Sequence, residues 1–328
     1  MEYRILGKTG FNVSVISLGT WQVGGKWGSG FDNKNAEEIL NTAIDSGINF
    51  IDTADVYSDG ESEKAIGRFL KTRKEKIYVA TKCGRQIQPH INEGYQPGVL
   101  RKYVEDSLQR LQIETIDLIQ LHCPPTQVYY RPEIFELFDR LKQEGKIQHL
   151  GVSVEKVEEA IKAIEFDNVT SVQIIFNMFR QRPADLFFDL AKKKNVGVIV
   201  RVPLASGLLT GTFTAQTEFQ SGDHRHFNRN GEAFDKGETF SGIDYATGLQ
   251  AVEELKRIFP ANKNLAAVAL KWIMQFEQVS TIIPGASRPA QVLNNLGALQ
   301  EDLITDEQLS EVKAIYEKFI KPSVHPLW

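Results

Sequence analysis

The sequence predicts an α/β protein, a parallel (β/α)8 barrel preceded by an N-terminal β-hairpin. Three observations carry this. Short apolar runs alternate with helix-like stretches along almost the whole chain, the pattern of βαβ units. Eight of those runs, counted from Val15, have strand character. Three consecutive runs lead into residues with chemistry: Asp52 with Tyr57 shortly after it, then Lys82, then His122. In a parallel barrel the C-terminal strand ends converge on one rim, where such folds keep their sites.

Residues 3–15 read as a hairpin, two extended pieces around the Gly-bounded turn Gly7-Lys8-Thr9-Gly10. The barrel strands follow at 15–21, 48–52, 77–81, 116–121, 147–153, 171–177, 196–202 and 279–284. Helices are expected at 35–46, 61–70, 99–111, 132–144, 155–164, 185–193, 245–259, 265–276, 289–298 and 306–318. Nothing along the chain reads as a linker, so residues 1–328 are expected to form one barrel domain. The segment 84–98 is a polar, Gly/Pro-containing loop. The segment 212–242, long and rich in Gly, Asn and His, reads as an active-site lid or mobile loop. The tail 320–328, with two prolines and a terminal tryptophan, either folds back over the rim or extends freely.

The bulk numbers exclude several classes of partner. Lysine plus arginine total 38 and aspartate plus glutamate 42, a net charge of −4, so no basic excess argues for nucleic acid or an anionic membrane. No run of about 18 apolar residues appears, and Met1 to Gly10 hold no secretory h-region. With only two cysteines, the expectation is a cytoplasmic protein with a small-molecule partner. Nothing calls for a metal, and the oligomeric state is left open.

The residues at the strand ends suggest a reaction. Reduction of a carbonyl needs a proton donor for the developing alkoxide, and a free tyrosine, with a pKa of about 10, is a poor one near neutrality. A lysine cation beside the phenol would favour its ionisation, and an aspartate would hold that lysine charged. The expected roles are Tyr57 as general acid, Lys82 and Asp52 as its tuning pair, and His122 as a hydrogen-bond donor to the carbonyl oxygen. Trp21, Trp27, Tyr57 and His122 are expected to line the substrate pocket.

The chain resembles the aldo-keto reductases. The residues that carry the likeness are Leu6-Gly7-Lys8-Thr9-Gly10, Ser17-Leu18-Gly19-Thr20-Trp21, Asp52-Thr53-Ala54-Asp55-Val56-Tyr57, Leu121-His122, Gly151-Val152-Ser153 and Ile283-Pro284-Gly285-Ala286-Ser287-Arg288. The resemblance implies a TIM barrel of bacterial type, with a nicotinamide dinucleotide across its C-terminal rim. It implies carboxamide contacts from Ser153 and Gln173, and places Thr20, Trp21 and Asp52 near the reacting end. It also puts Pro203, Leu204, Ser206 and Gly207 along the pyrophosphate, and Gly285, Ser287, Arg288, Gln291 and Asn295 around the adenosine end. A serine, an arginine and the helix N-terminus at Pro289 make an anion site suited to a 2′-phosphate, favouring NADPH/NADP+ over NADH. No Gly-x-Gly-x-x-Gly follows the first strand, so the dinucleotide would not be held as in a Rossmann fold.

Four positions depart from the family pattern. Val154 stands where an asparagine is common and Arg201 where a tyrosine usually stacks on the nicotinamide ring. Thr212 replaces a frequent lysine, and Cys123 a frequent tryptophan. A thiol beside Lys82, as Cys83 is, would ionise more readily. Strand alternation, however, points both cysteines towards the helices as inert packing. A cofactor-binding regulatory subunit with slow or no turnover is the alternative function, and a Schiff-base enzyme using Lys82 a third.

Overall fold

The computed structural model describes residues 1–25, 30–259 and 264–328. Strands β1 (Tyr3–Ile5) and β2 (Asn12–Ser14) pair antiparallel around a turn that Gly10 closes with a left-handed φ of 69°. The hairpin plugs the lower end of the barrel. Its Leu6, Phe11 and Val13 cluster with Phe50, Ala80, Leu118 and Ile199 from four strands and with Ile283 just after a fifth. A larger apolar cluster fills the layer between strands and helices.

Eight parallel strands follow: β3 (Leu18–Gly19), β4 (Phe50–Asp52), β5 (Tyr78–Cys83), β6 (Ile116–His122), β7 (Ile147–Ser153), β8 (Val169–Ile175), β9 (Gly197–Arg201) and β10 (Val279–Ile282). They lie side by side in chain order, as right-handed βαβ crossovers dictate. Bridges Ile16 to Ile282 and Gly19 to Gly285 join the two ends of the sheet. Glycine is required there, since a Cβ on Gly19 would lie 2.7 Å from the Ile283 carbonyl oxygen. The strands β6 and β8 are buried along their whole length, and the polar side chains they carry, among them Gln120, His122 and Gln173, are buried with them.

The helices are α1 (Asn33–Asp45), α2 (Glu61–Leu70), α3 (Pro97–Leu111), α4 (Pro132–Gln143), α5 (Val157–Ala163), α6 (Phe187–Lys193), α7 (His224–Phe227), α8 (Tyr245–Ile258), α9 (Leu265–Met274), α10 (Pro289–Leu296), α11 (Asp306–Ile315) and α12 (Lys321–Val324). Their starts follow local chemistry. Asp32, Asp244 and Asn264 accept from first-turn amides of α1, α8 and α9, while α3, α4 and α10 open on proline. No described helix is long and apolar enough to cross a membrane.

Two segments that read as irregular have defined local structure. The stretch 212–242, exposed over much of its length, is anchored by the buried His224, Asn228 and Gly237 and by the buried run 239–242. It contains α7, capped by Asp223, and a buried Asn228 whose Oδ1 accepts from the amides of Ala233 and Phe234, both at 2.8 Å. Polar sequence disguised that order because the segment satisfies its own backbone through side chains. The tail folds back. Trp328 is buried, its indole Nε1 donates to Asp235 Oδ1 at 2.8 Å, and the Arg180 guanidinium lies 4.2 Å from its ring centre.

Candidate active site

The four residues expected to act together do meet. Asp52 ends β4, Lys82 lies in β5, His122 ends β6, and Tyr57 begins the 3₁₀ turn after β4. Lys82 Nζ donates to Asp52 Oδ1 at 2.5 Å, to the Thr53 carbonyl at 2.8 Å and to the Tyr57 hydroxyl at 3.3 Å. The Tyr57 and His122 rings stand edge to face, centroids 6.0 Å apart. Below them Asp52 Oδ2 accepts from Gln120 Nε2 at 3.0 Å and Gln173 Nε2 at 2.7 Å. Both oxygens of the buried carboxylate are therefore satisfied.

Charge follows from this packing. Burial opposes a charged Lys82, but Asp52 and Tyr57 outweigh it and raise its pKa. Burial pushes the Tyr57 phenol up and Lys82 only partly offsets it, so the net direction is upward. Lys82 acts on the phenol in the expected direction, and the net rise comes from burial. Desolvation of the partly buried phenol is the larger effect. His122 is held well below its ordinary pKa by burial and by the nearby cations Arg85, Lys82 and Arg201, which leaves a neutral imidazole.

The residues expected at the cofactor lie on or after β3, β4, β7, β8, β9 and β10. Ser153 ends β7 and its Oγ donates to Gln173 Oε1 at 3.5 Å, while Thr20 Oγ1 donates to the Asp52 carbonyl at 3.0 Å. Pro203, Leu204, Ser206 and Gly207 lie in a strained turn, with positive φ at Val202, Ala205, Ser206 and Gly207. Ser206 fixes that turn to the long loop by donating to the Glu238 carbonyl and accepting from the Phe240 amide. At the start of α10, the Ser287 amide and hydroxyl both donate to Gln291 Oε1, Asn295 Nδ2 donates to the Gly285 carbonyl, and Arg288 is exposed. Trp21 stacks edge-on against His224 at 4.6 Å, and Trp27 lies outside the described residues.

Arg201 is more constrained than a stacking side chain needs to be. It donates to Glu155 Oε2 at 2.9 Å, to the Val154 carbonyl at 3.0 Å, and pairs with Glu238 Oε2 at 3.3 Å. Arg85, after β5, donates to the other Glu238 oxygen at 2.8 Å. Burial pushes Glu155 up to about 8, whereas at Glu238 the two arginines overcome burial and hold the carboxyl down. Cys123 does not point to the helices. Its φ of 48° takes it out of strand register and brings Sγ to 3.5 Å from Ser153 Oγ and from Arg201 NH2. Both thiols are unpaired and buried, and desolvation raises both pKa values, so the lowering considered for Cys83 is not found. Three buried polar atoms around this part of the rim, His122 Nδ1, Glu155 Oε1 and Arg201 Nε, have no hydrogen-bond partner among the described residues. Such orphans beside Ser153 and Gln173 fit the polar end of a nicotinamide.

Behind the site, Asp55 is fully buried with neither carboxylate oxygen hydrogen-bonded among the described residues. Burial and the neighbouring Glu63 raise its pKa to about 7, with Arg110 and Lys82 pulling the other way. A carboxyl with a raised folded pKa holds its proton in the fold after the unfolded chain has lost it. Its presence therefore costs no stability near pH 4 and progressively more as pH rises to about 7. Asp55→Asn should match the wild type in denaturant unfolding near pH 4 and exceed it at pH 8, by up to about 4 kcal/mol. A stability difference independent of pH would remove this assignment.

The model of the aldo/keto reductase family matches residues 15–317, and the chain belongs to that family. Aldo-keto reductase YhdN of Bacillus subtilis is 29% identical over 99% of this chain and 97% of its own length. An NADH-specific methylglyoxal reductase of Escherichia coli is also 29% identical, over 91% of this chain and 93% of its own. Among solved structures, glycerol dehydrogenase AKR11B4 from Gluconobacter oxydans superposes with a TM-score of 0.79 at 30% identity, covering 97% of this chain and 96% of that one. Aldo-keto reductase AKR11C1 from Bacillus halodurans, in its holo form, gives 0.76 at 27% identity, covering 96% of each. The protein is thus an oxidoreductase of a family that uses nicotinamide cofactors on small carbonyl compounds.

Proposed function

We propose that the protein reduces aldehydes or ketones to alcohols with NADPH, Tyr57 supplying the proton. The observation that carries this is the Lys82 ammonium seated between Asp52 and the Tyr57 hydroxyl, with a neutral His122 against the phenol ring. When bound, the nicotinamide supplies a hydride to the carbonyl carbon. Tyr57 holds the proton at its hydroxyl and releases it to the carbonyl oxygen as negative charge develops there. Lys82 stabilises the phenolate left behind, and Asp52 keeps Lys82 charged and in place. A neutral His122 donates through one ring nitrogen to the same oxygen and orients the substrate. Ser153 and Gln173 would hold the carboxamide, Leu204, Ser206 and Gly207 the pyrophosphate, and Arg201 would flank the ring. The whole of residues 1–328 acts as one barrel unit in this proposal, and the two unpaired thiols suit a cytoplasmic setting.

The test is a fluorescence titration with NADPH and NADH, followed by cofactor oxidation on adding small aldehydes. Tighter NADPH binding with turnover is expected. Binding without turnover on any aldehyde would transfer the protein to the regulatory class. The preference for NADPH rests on Arg288 and Ser287 at the N-terminus of α10. Arg288→Ala should weaken NADPH roughly ten- to a hundredfold and NADH far less, because only NADPH carries the 2′-phosphate. Equal losses for the two would remove that role.

A further inference from the structure

The rim divides by strand order. Ser153, Gln173, Arg201, the turn at 203–207 and the α10 start lie on or after β7, β8, β9 and β10, whereas the tetrad lies on or after β4, β5 and β6. Arg85 follows β5, so it belongs to the half that holds Tyr57 and His122. Arg85 is one of the cations, with Lys82 and Arg201, that together with burial disfavour a protonated His122. Only one of its nitrogens is engaged within the described residues, NH2 on Glu238, and its guanidinium is stacked 5.5 Å from the Phe234 ring centre. Phe234 in turn stands edge-on to Trp21. Glu238 reaches Arg85 from the long loop after β9 and fixes the guanidinium without saturating it. A planar cation held on one edge and stacked on one face presents its other edge for recognition.

We propose that Arg85 is a substrate-binding residue that selects carbonyl compounds bearing an oxygen on the carbon next to the reacting carbonyl, as in 2-oxoaldehydes and 2-hydroxyaldehydes. The inference rests on the reductase reading of the same site. A carbonyl oxygen lodged between Tyr57 and His122 places its neighbouring carbon at the mouth. Arg85 approaches that mouth from the β5 side: it shares Glu238 with Arg201, whose NH2 lies 3.5 Å from the Sγ of Cys123, the residue after His122. A hydroxyl or second carbonyl there accepts from the unengaged edge of the guanidinium, and a plain alkyl aldehyde leaves that edge without a partner. Guanidinium planarity makes the contact directional, so a lysine would reproduce the charge but not the geometry.

The experiment uses three aldehydes on one carbon skeleton: propanal, 2-hydroxypropanal and 2-oxopropanal. Intrinsic reactivity differs among them, so the quantity read is the change in their kcat/KM ratios between wild type and variants. In Arg85→Met the two oxygenated substrates should lose roughly ten- to a hundredfold relative to propanal, mostly in KM, with Arg85→Lys intermediate. Because Arg85→Met leaves Glu238 with one cation fewer, Arg85→Met/Glu238→Gln removes cation and counter-ion together and should show the same collapse. If either active variant keeps the wild-type ratios, Arg85 is structural only and the proposal is overturned. Failure of the wild type to reduce any of the three overturns the reductase reading itself, a different result from unchanged selectivity.

Discussion

Tyr57→Phe should lower kcat for carbonyl reduction by about a thousandfold or more while leaving cofactor affinity within about twofold. The change removes one oxygen. That oxygen is 3.3 Å from Lys82 Nζ, and burial keeps the phenol protonated, so its proton is held until a developing alkoxide draws it off. The ring itself can stay, edge to face with His122, so the variant keeps the shape of the pocket and loses the donor. His122 does not replace it easily. Burial and three surrounding cations hold the imidazole neutral, and a neutral imidazole is a far weaker acid than the phenol it would have to stand in for. Steady-state kcat together with a fluorescence titration of the cofactor makes the measurement. A variant within tenfold of wild type would mean that the proton comes from elsewhere.

The tetrad was legible because each member closes or follows an apolar strand, and strand ends in a barrel share one rim whatever their separation in sequence. The same logic would have reached Gln120. It lies two residues before His122 on the same strand, hence on the same face, in a run otherwise apolar apart from Asp117, and its amide holds Asp52. Glu155, Arg85 and Glu238 were hidden for different reasons. Glu155 reads as the first residue of a helix because acids favour a first turn, yet α5 begins at Val157 and leaves Glu155 in the loop facing Arg201. Arg85 and Glu238 are ordinary charged residues in polar loops, and only folding brings them to 2.8 Å. Cys123 was misplaced because alternation holds only while φ is negative and extended, and its φ of 48° puts it outside the strand, which ends at His122. The tail was undecidable from local sequence, since what fixes Trp328 is a partner in a distant loop, Asp235, and the space left by Gly242.

Lys82→Met should both abolish turnover and destabilise the barrel by about 3–5 kcal/mol, a double effect expected where one member of a buried ion pair is removed. Lys82 is fully buried and Asp52 nearly so. With the ammonium gone, Asp52 Oδ1 loses its donor, while Oδ2 keeps the amides of Gln120 and Gln173. A buried carboxylate then stands without a counter-charge, and that accounts for the loss of stability. Loss of activity has a second cause, because the Tyr57 phenolate left after proton transfer no longer has a cation at its oxygen. The double variant Lys82→Met/Asp52→Asn separates the two. An asparagine oxygen still accepts from both glutamine amides, and no charge is stranded, so most of the stability should return while turnover stays lost. Denaturant midpoints and kcat for the two variants decide the matter. A single variant as stable as wild type would show that the pair is not buried as described, and an active double variant would end the assignment of Lys82 to the chemistry.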